Sequence, residues 1–140
     1  KRLSGESVAP LPEEDARIAV AALLVIAAHA DHDYQDSERA MIERVLADRY
    51  ALDPAAAAAL RMEGEADKHA SMDIYKFTAL IKQAIRYEER ASVLEALWRV
   101  VLADSEREAH EETLMRRVTD LLGLDPRESV MARRRAQGAP

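Results

Sequence analysis

One period dominates the pattern of apolar and polar positions along the chain. Apolar residues recur at three- and four-residue spacing over most of its length, and no stretch alternates with period two. Helices are therefore predicted and no sheet. The most apolar run, Ile18–Ala28, follows Pro12 at a first-turn position and the acidic residues Glu13, Glu14 and Asp15, which predicts a first helix from Pro12 to about Ala30. Being apolar nearly all round, it is expected to be the innermost helix. The run covers eleven positions, short of the ~20 that a membrane span requires, so no direct membrane insertion is expected.

Six further helices follow from the same reading. Met41, Ile42, Val45 and Leu46 form the apolar stripe of the second. Asp53-Pro54 is a cap-plus-proline start for a third, Ala55–Asp67, which is alanine-rich and weakly amphipathic. Ser71 is a candidate cap for the fourth, with Ile74, Phe77, Ile81 and Ile85 as its stripe. The fifth begins near Glu88 and puts Val93, Leu94, Leu97, Trp98, Val101 and Leu102 on one face, which makes it the second core helix. The sixth carries Leu114, Met115, Val118, Leu121 and Leu122 and stops at Gly123. Asp125-Pro126 starts a short seventh that ends near Gln137. The expected fold is a single compact all-α domain of about seven helices over 12–136, with a loose lead-in at 1–11 and a short tail at 137–140.

Composition narrows the picture. Apolar residues make up 49% and charged residues 33% of the 140, enough to bury a core and too apolar for a disordered chain. The net charge of −6 argues against a nucleic-acid partner, which calls for a basic face. Arg133, Arg134 and Arg135 form a short basic cluster that suits the negative end of the last helix, as a solvated tail. Cysteine is absent, which removes disulfides, thiolate metal sites and cysteine nucleophiles. The chain opens on Lys1 rather than methionine, which points to a fragment or a processed product.

A repeat organises these helices. Ala30–Val45 aligns with Ala103–Val118 without a gap, at an offset of 73 residues from Asp31 to Asp104. Asp33 falls on Glu106, Glu38 on Glu111, Met41 on Leu114, Ile42 on Met115, Arg44 on Arg117 and Val45 on Val118. Each copy follows an apolar helical run and opens a second helix, so the chain contains two helix–acidic turn–helix units.

Each turn supplies three carboxylates in matching places: Asp31, Asp33 and Glu38, then Asp104, Glu106 and Glu111. Oxygen ligands gathered from a short turn are what hard divalent cations take. Asp31 and Asp104 also stand at the partially negative C-terminal ends of their helices, where a bound cation would offset the repulsion. The competing account needs no ligand. Glu in a helix's first turn is favoured by the dipole and can bond back to the cap residue's N–H, and Asp in a turn bonds its own backbone. An EF-hand is excluded by spacing: with Asp31 at loop position 1, Asp36 occupies the glycine position and Ile42 the bidentate Glu position. His29 and His32 are a rival, weaker zinc pair; the second turn has Leu102 and Ser105 there instead. No paired nucleophile and base and no glycine-rich phosphate loop appears, so a non-enzyme is expected, with no catalytic residues and no organic cofactor.

The stretches ADHDYQDSERAMIERVL and LWRVVLADSEREAHEETLMRRVTDLLGL, with YKFTALIK between them, resemble the TerB-like family, helical proteins related to the tellurite-resistance protein TerB. The similarity runs from about Pro12 to Arg135. It implies a seven-helix domain with an acidic surface that binds a divalent cation such as Ca²⁺, Mg²⁺, Mn²⁺ or Zn²⁺. It also implies a cytoplasmic role in stress or metal resistance, exercised through protein partners, some of them membrane-associated. The family's turn glycine is His32 in one copy and Ser105 in the other, its apolar position is Tyr34 and then Arg107, and its cap is Gln35 and then Glu108. The first turn, with Asp31, Asp33 and Glu38, is accordingly the stronger candidate. Two other readings stand beside it: a structural interaction domain whose carboxylates only cap helices, and a metal-dependent hydrolase.

Overall fold

The computed structural model describes residues 12–28, 34–71, 73–103 and 108–138. These form seven α-helices and one turn of 3₁₀ helix, with no strand among the described residues: α1 Pro12–Ala28, α2 Asp36–Tyr50, α3 Pro54–Ser71, α4 Ile74–Ala84, the 3₁₀ turn Tyr87–Glu89, α5 Ala91–Leu102, α6 Glu108–Leu121 and α7 Pro126–Ala136. The all-α expectation holds.

The core follows the apolar pattern. From Ala19 to Ala28 every residue of α1 except Ile26 is buried, and the helix packs against α2, α3, α4 and α5. A helix surrounded this way cannot afford a polar face, which is why its sequence lacks one. The second core helix, α5, buries Val93, Leu94, Leu97, Trp98 and Val101 and packs on α1, α2, α6 and α7. The repeat is visible in the burial of the two units: Ile42 and Met115, Val45 and Val118, and Leu46 and Thr119 are all buried. At the Thr119 position the second copy places a hydroxyl, and that hydroxyl donates to the Met115 carbonyl at 2.6 Å, as a buried polar group must.

Helices α1 and α3 approach closely at a glycine. Gly64 of α3 lies against α1 so tightly that a Cβ there would stand 2.7 Å from the Ala21 carbonyl carbon and 2.8 Å from the Ala22 nitrogen. Ala57 and Leu60 complete the same buried face. The weak amphipathicity of α3 is thus a face built from small residues, which lets two backbones come together.

Helix ends follow the start and stop signals, with one correction. The Asp53 carboxylate accepts the Ala56 N–H and the Asp125 carboxylate accepts the Arg127 N–H, both at 2.8 Å. Helix α4, however, is capped by Asp73, which accepts from Tyr75 N at 3.0 Å and Lys76 N at 3.2 Å, while Ser71 ends α3. An aspartate immediately before the first helical residue wins over a serine two places earlier. Helix α6 ends as expected at Gly123, φ +75°, where Leu124 N donates to Thr119 O and Gly123 N to Asp120 O, both at 3.0 Å. That pair of bonds is the Schellman closure.

The C-terminal arginines are more than a solvated tail. Arg133 pairs with Glu112 at 3.2 Å and lies 4.7 Å over the Trp98 ring, and Arg135 pairs with Glu95 at 2.9 Å. Two of the three therefore fasten α7 to α5 and α6. Arg90 performs a related task, donating to the Lys82 and Ile85 carbonyls at the end of α4 and to Leu122 O at the end of α6. A guanidinium suits the partially negative ends of both helices.

Candidate functional site

Tyr34 and Gln35 lead into α2. Asp31 and Asp33 lie outside the described residues, as do Asp104 and Glu106 and the candidate zinc ligands His29 and His32. Glu111 falls within α6. Of the six predicted carboxylates Glu38 is the one whose side chain the structure describes, and it is only 6% exposed. Its Oε1 accepts the backbone N–H of Gln35 at 2.7 Å. This is the reach back from the third helical residue to the cap residue that satisfies one otherwise orphan donor. Gln35 is a modest cap by type, and the glutamate completes a capping box with it.

Beside this corner runs a polar network that the sequence reading did not identify. The Tyr34 hydroxyl donates to Glu65 Oε2 at 2.6 Å, and Arg61 Nη1 donates to the same oxygen at 2.5 Å. Arg61 Nε donates to Glu43 Oε2 at 2.7 Å. One guanidinium thus ties α2 to α3 while Tyr34 ties the residues just before α2 to α3. Arg39 lies over the Tyr34 ring, 4.4 Å from its centre, and pairs with Asp36 at 2.8 Å. Arg61 and Glu65 side chains are 13% and 24% exposed, so the Arg61–Glu65 contact is shielded from the screening that makes surface pairs such as Arg39–Asp36 weak.

The network perturbs its own titration. Burial, and then the Glu65 carboxylate it donates to, push the Tyr34 hydroxyl well above the usual tyrosine range. Burial would also raise the Glu65 carboxyl, but the Tyr34 hydroxyl and the Arg61 guanidinium outweigh it and hold it below the ordinary value. For Arg61, burial is in turn outweighed by Glu43 and Glu65, which keep it firmly charged. A tyrosine locked neutral and a glutamate locked ionised serve to position groups, and neither is poised for proton transfer near neutral pH. The sequence did hold half of the signal: Arg61 and Glu65 are one helical turn apart on α3. The other half, Tyr34 and Glu43, comes from separate elements.

Among the described residues no group of three His, Asp or Glu side chains converges to hold a metal, and no helix is long and apolar enough to cross a membrane. Glu43 and Glu65 are bound to Arg61 and belong to the helix contacts. Oxygen ligation at the first turn would rest on Asp31 and Asp33 together with Glu38, whose carboxylate is held at the turn end of α2 by its bond to Gln35.

No curated protein and no solved structure matches the chain. A family model described as tellurite resistance protein TerB matches residues 17–134, a span that takes in both acidic stretches, the Tyr34–Glu65 network and all or most of each of the seven helices. The chain belongs to the TerB family.

Proposed function

We propose that this chain is a non-enzymatic TerB-type module that binds a divalent cation at its first acidic turn. In this reading Asp31, Asp33 and Glu38 are the protein ligands, and Asp104, Glu106 and Glu111 are their counterparts in the second turn. The module acts in the cytoplasm through protein partners, some of them membrane-associated, in tellurite or metal resistance and the stress response around it. The observation that carries the reading is the repeat: the same carboxylate places recur at an offset of 73 residues, in two helix pairs that bury corresponding side chains. The donor set supports it too, since carboxylate oxygens suit hard cations. When bound, the cation supplies positive charge where acidic side chains follow the negative end of α1. The anchoring of Tyr34 on Glu65 and of Glu38 on Gln35 supports a turn held ready at one end.

One observation favours a second reading. The Glu38–Gln35 bond is the contact made by a carboxylate that merely caps its helix, and it fits an interaction domain whose turns carry no ion. Substitution in metal-stripped protein separates the two. If the carboxylates mainly repel one another, Asp31→Asn combined with Asp33→Asn raises stability in urea by ~0.5–1 kcal/mol. A clear loss of stability without metal would assign the aspartates to capping and count against the cation.

A further inference from the structure

Helices α5, α6 and α7 enclose a half-open groove of about 640 Å³, within the size range of small-molecule sites. Its apolar lining is the exposed Val130 and Pro126 over a floor of Trp98, Met115 and Leu124, which are themselves buried. The indole is held in place, because its Nε1 donates to Ser129 Oγ at 3.1 Å and Arg133 covers one of its faces. Val130, in contrast, is 54% exposed, an apolar side chain standing in water at the groove's edge.

The charges on the rim give the groove a sign. Arg116, Arg117 and Arg133 face Glu112 and Asp120 there, an excess of positive charge on a chain whose net charge is −6. Glu112 is engaged by Arg133, and Arg117 donates to the Tyr75 hydroxyl at 2.9 Å. The side chains of Arg116 and of Asp120, one helical turn on, have no hydrogen bond or ion pair among the described residues, and Arg117 meets only a neutral hydroxyl, so the rim keeps one positive charge in excess. An apolar trough beside an unengaged guanidinium selects a molecule with an apolar body and one anionic head.

We infer that the α5–α6–α7 groove is a binding site for a small anionic amphiphile, an alkyl or aryl carboxylate whose body lies on Val130 and Pro126 over the edge of Trp98 and whose head meets Arg116. Nothing in this site uses the turn carboxylates, so it stands or falls apart from the cation reading. Trp98 is the chain's one tryptophan, and its fluorescence reports occupancy directly.

The test is titration of the full chain with decanoate, decanol and decyltrimethylammonium, each below its aggregation concentration, followed by Trp98 emission. Decanoate is expected to give a saturable change, with the cationic analogue weaker by about tenfold or more, as one charge-assisted contact implies. Arg116→Glu should weaken decanoate by a similar factor, and Val130→Asp should abolish the change; both positions are exposed, and unaltered circular-dichroism melts verify that the fold is kept. Decanol binding as tightly as decanoate would overturn the charge selection. No saturable response to decanoate, including the case where an acidic amphipathic peptide binds instead, would overturn the small-molecule site.

Discussion

Gly64→Ala is expected to destabilise the protein by ~2 kcal/mol or more, and Gly64→Val to prevent it from folding to the native packing. Alanine is the best helix former, so on an isolated α3 the same change would gain ~1 kcal/mol. The sign reverses because a Cβ at position 64 would stand 2.7–2.8 Å from backbone atoms of Ala21 and Ala22. Backbone cannot rotate aside as the end of a flexible side chain can, so α1 and α3 would have to separate. Such overpacking costs ~1–3 kcal/mol or more, and here it would loosen the packing of the innermost helix. Equilibrium unfolding in urea measures the change, with Ala59→Gly, exposed on the same helix, as the propensity control. Should Gly64→Ala stabilise the protein by the propensity increment, the close approach of the two helices would be refuted.

The second large effect belongs to Arg61. Its guanidinium holds Glu43 and Glu65 at once, so Arg61→Met takes the shared cation from two partly buried carboxylates and leaves Glu65 the weaker attraction of Arg39. Breaking a fully buried pair costs ~3–5 kcal/mol; with the residual exposure of these groups, ~2–3 kcal/mol is expected. The pH dependence has two limbs. Glu65 is depressed in the folded protein, so its contribution is present above the ordinary value of 4.5 and is lost as pH falls through the lower folded value. Tyr34 is raised, so its contribution is complete below the ordinary value of 10.0 and declines as pH rises beyond it. The stability difference between wild type and Tyr34→Phe, ~1 kcal/mol at neutral pH, should therefore shrink above pH 10. The difference between wild type and Glu65→Gln should shrink below pH 4.5. A gap that stays constant across either limb would mean that the residue in question does not sit in this network.

The elements that sequence periodicity revealed are those whose identity is decided within one turn of helix. The stripe of α5, the continuous apolar run of α1 and the Asp-Pro starts at positions 53 and 125 each need only local spacing. The choice of Asp73 over Ser71 was a contest between two acceptable caps, settled by how far α3 extends. The repeat was legible because it recurs in the core as well as in the turns: Ile42 and Met115 occupy one register, and both are buried. What spacing could not supply was the meeting of distant residues. Tyr34 and Glu65 are 31 residues apart and Arg61 and Glu43 are 18 apart, and only the packing of α2 on α3 joins them. The groove beside Trp98 is of the same kind, with three helices each contributing part of its wall. Gly64 did offer a signal, since a lone glycine inside a helical pattern marks close approach of another chain segment. At the candidate site, Glu38 shows how one residue can satisfy both accounts of the sequence pattern. Its first-turn position, chosen as a ligand place, is also the place from which a carboxylate reaches back to Gln35.

The cation at the first turn is the central claim, and thermal unfolding of chelator-stripped protein tests it most directly. Unfolding is followed with Ca²⁺, Mg²⁺, Mn²⁺, Zn²⁺ and Ni²⁺ added in turn, for wild type and for Asp31→Asn. An ion that binds only the native state, present at a hundred times its Kd, adds ~2.7 kcal/mol of stability. The account predicts such an upward shift for at least one hard cation in the wild type and its loss in Asp31→Asn. A melting temperature unmoved by every ion, or a shift that survives Asp31→Asn undiminished, would contradict it.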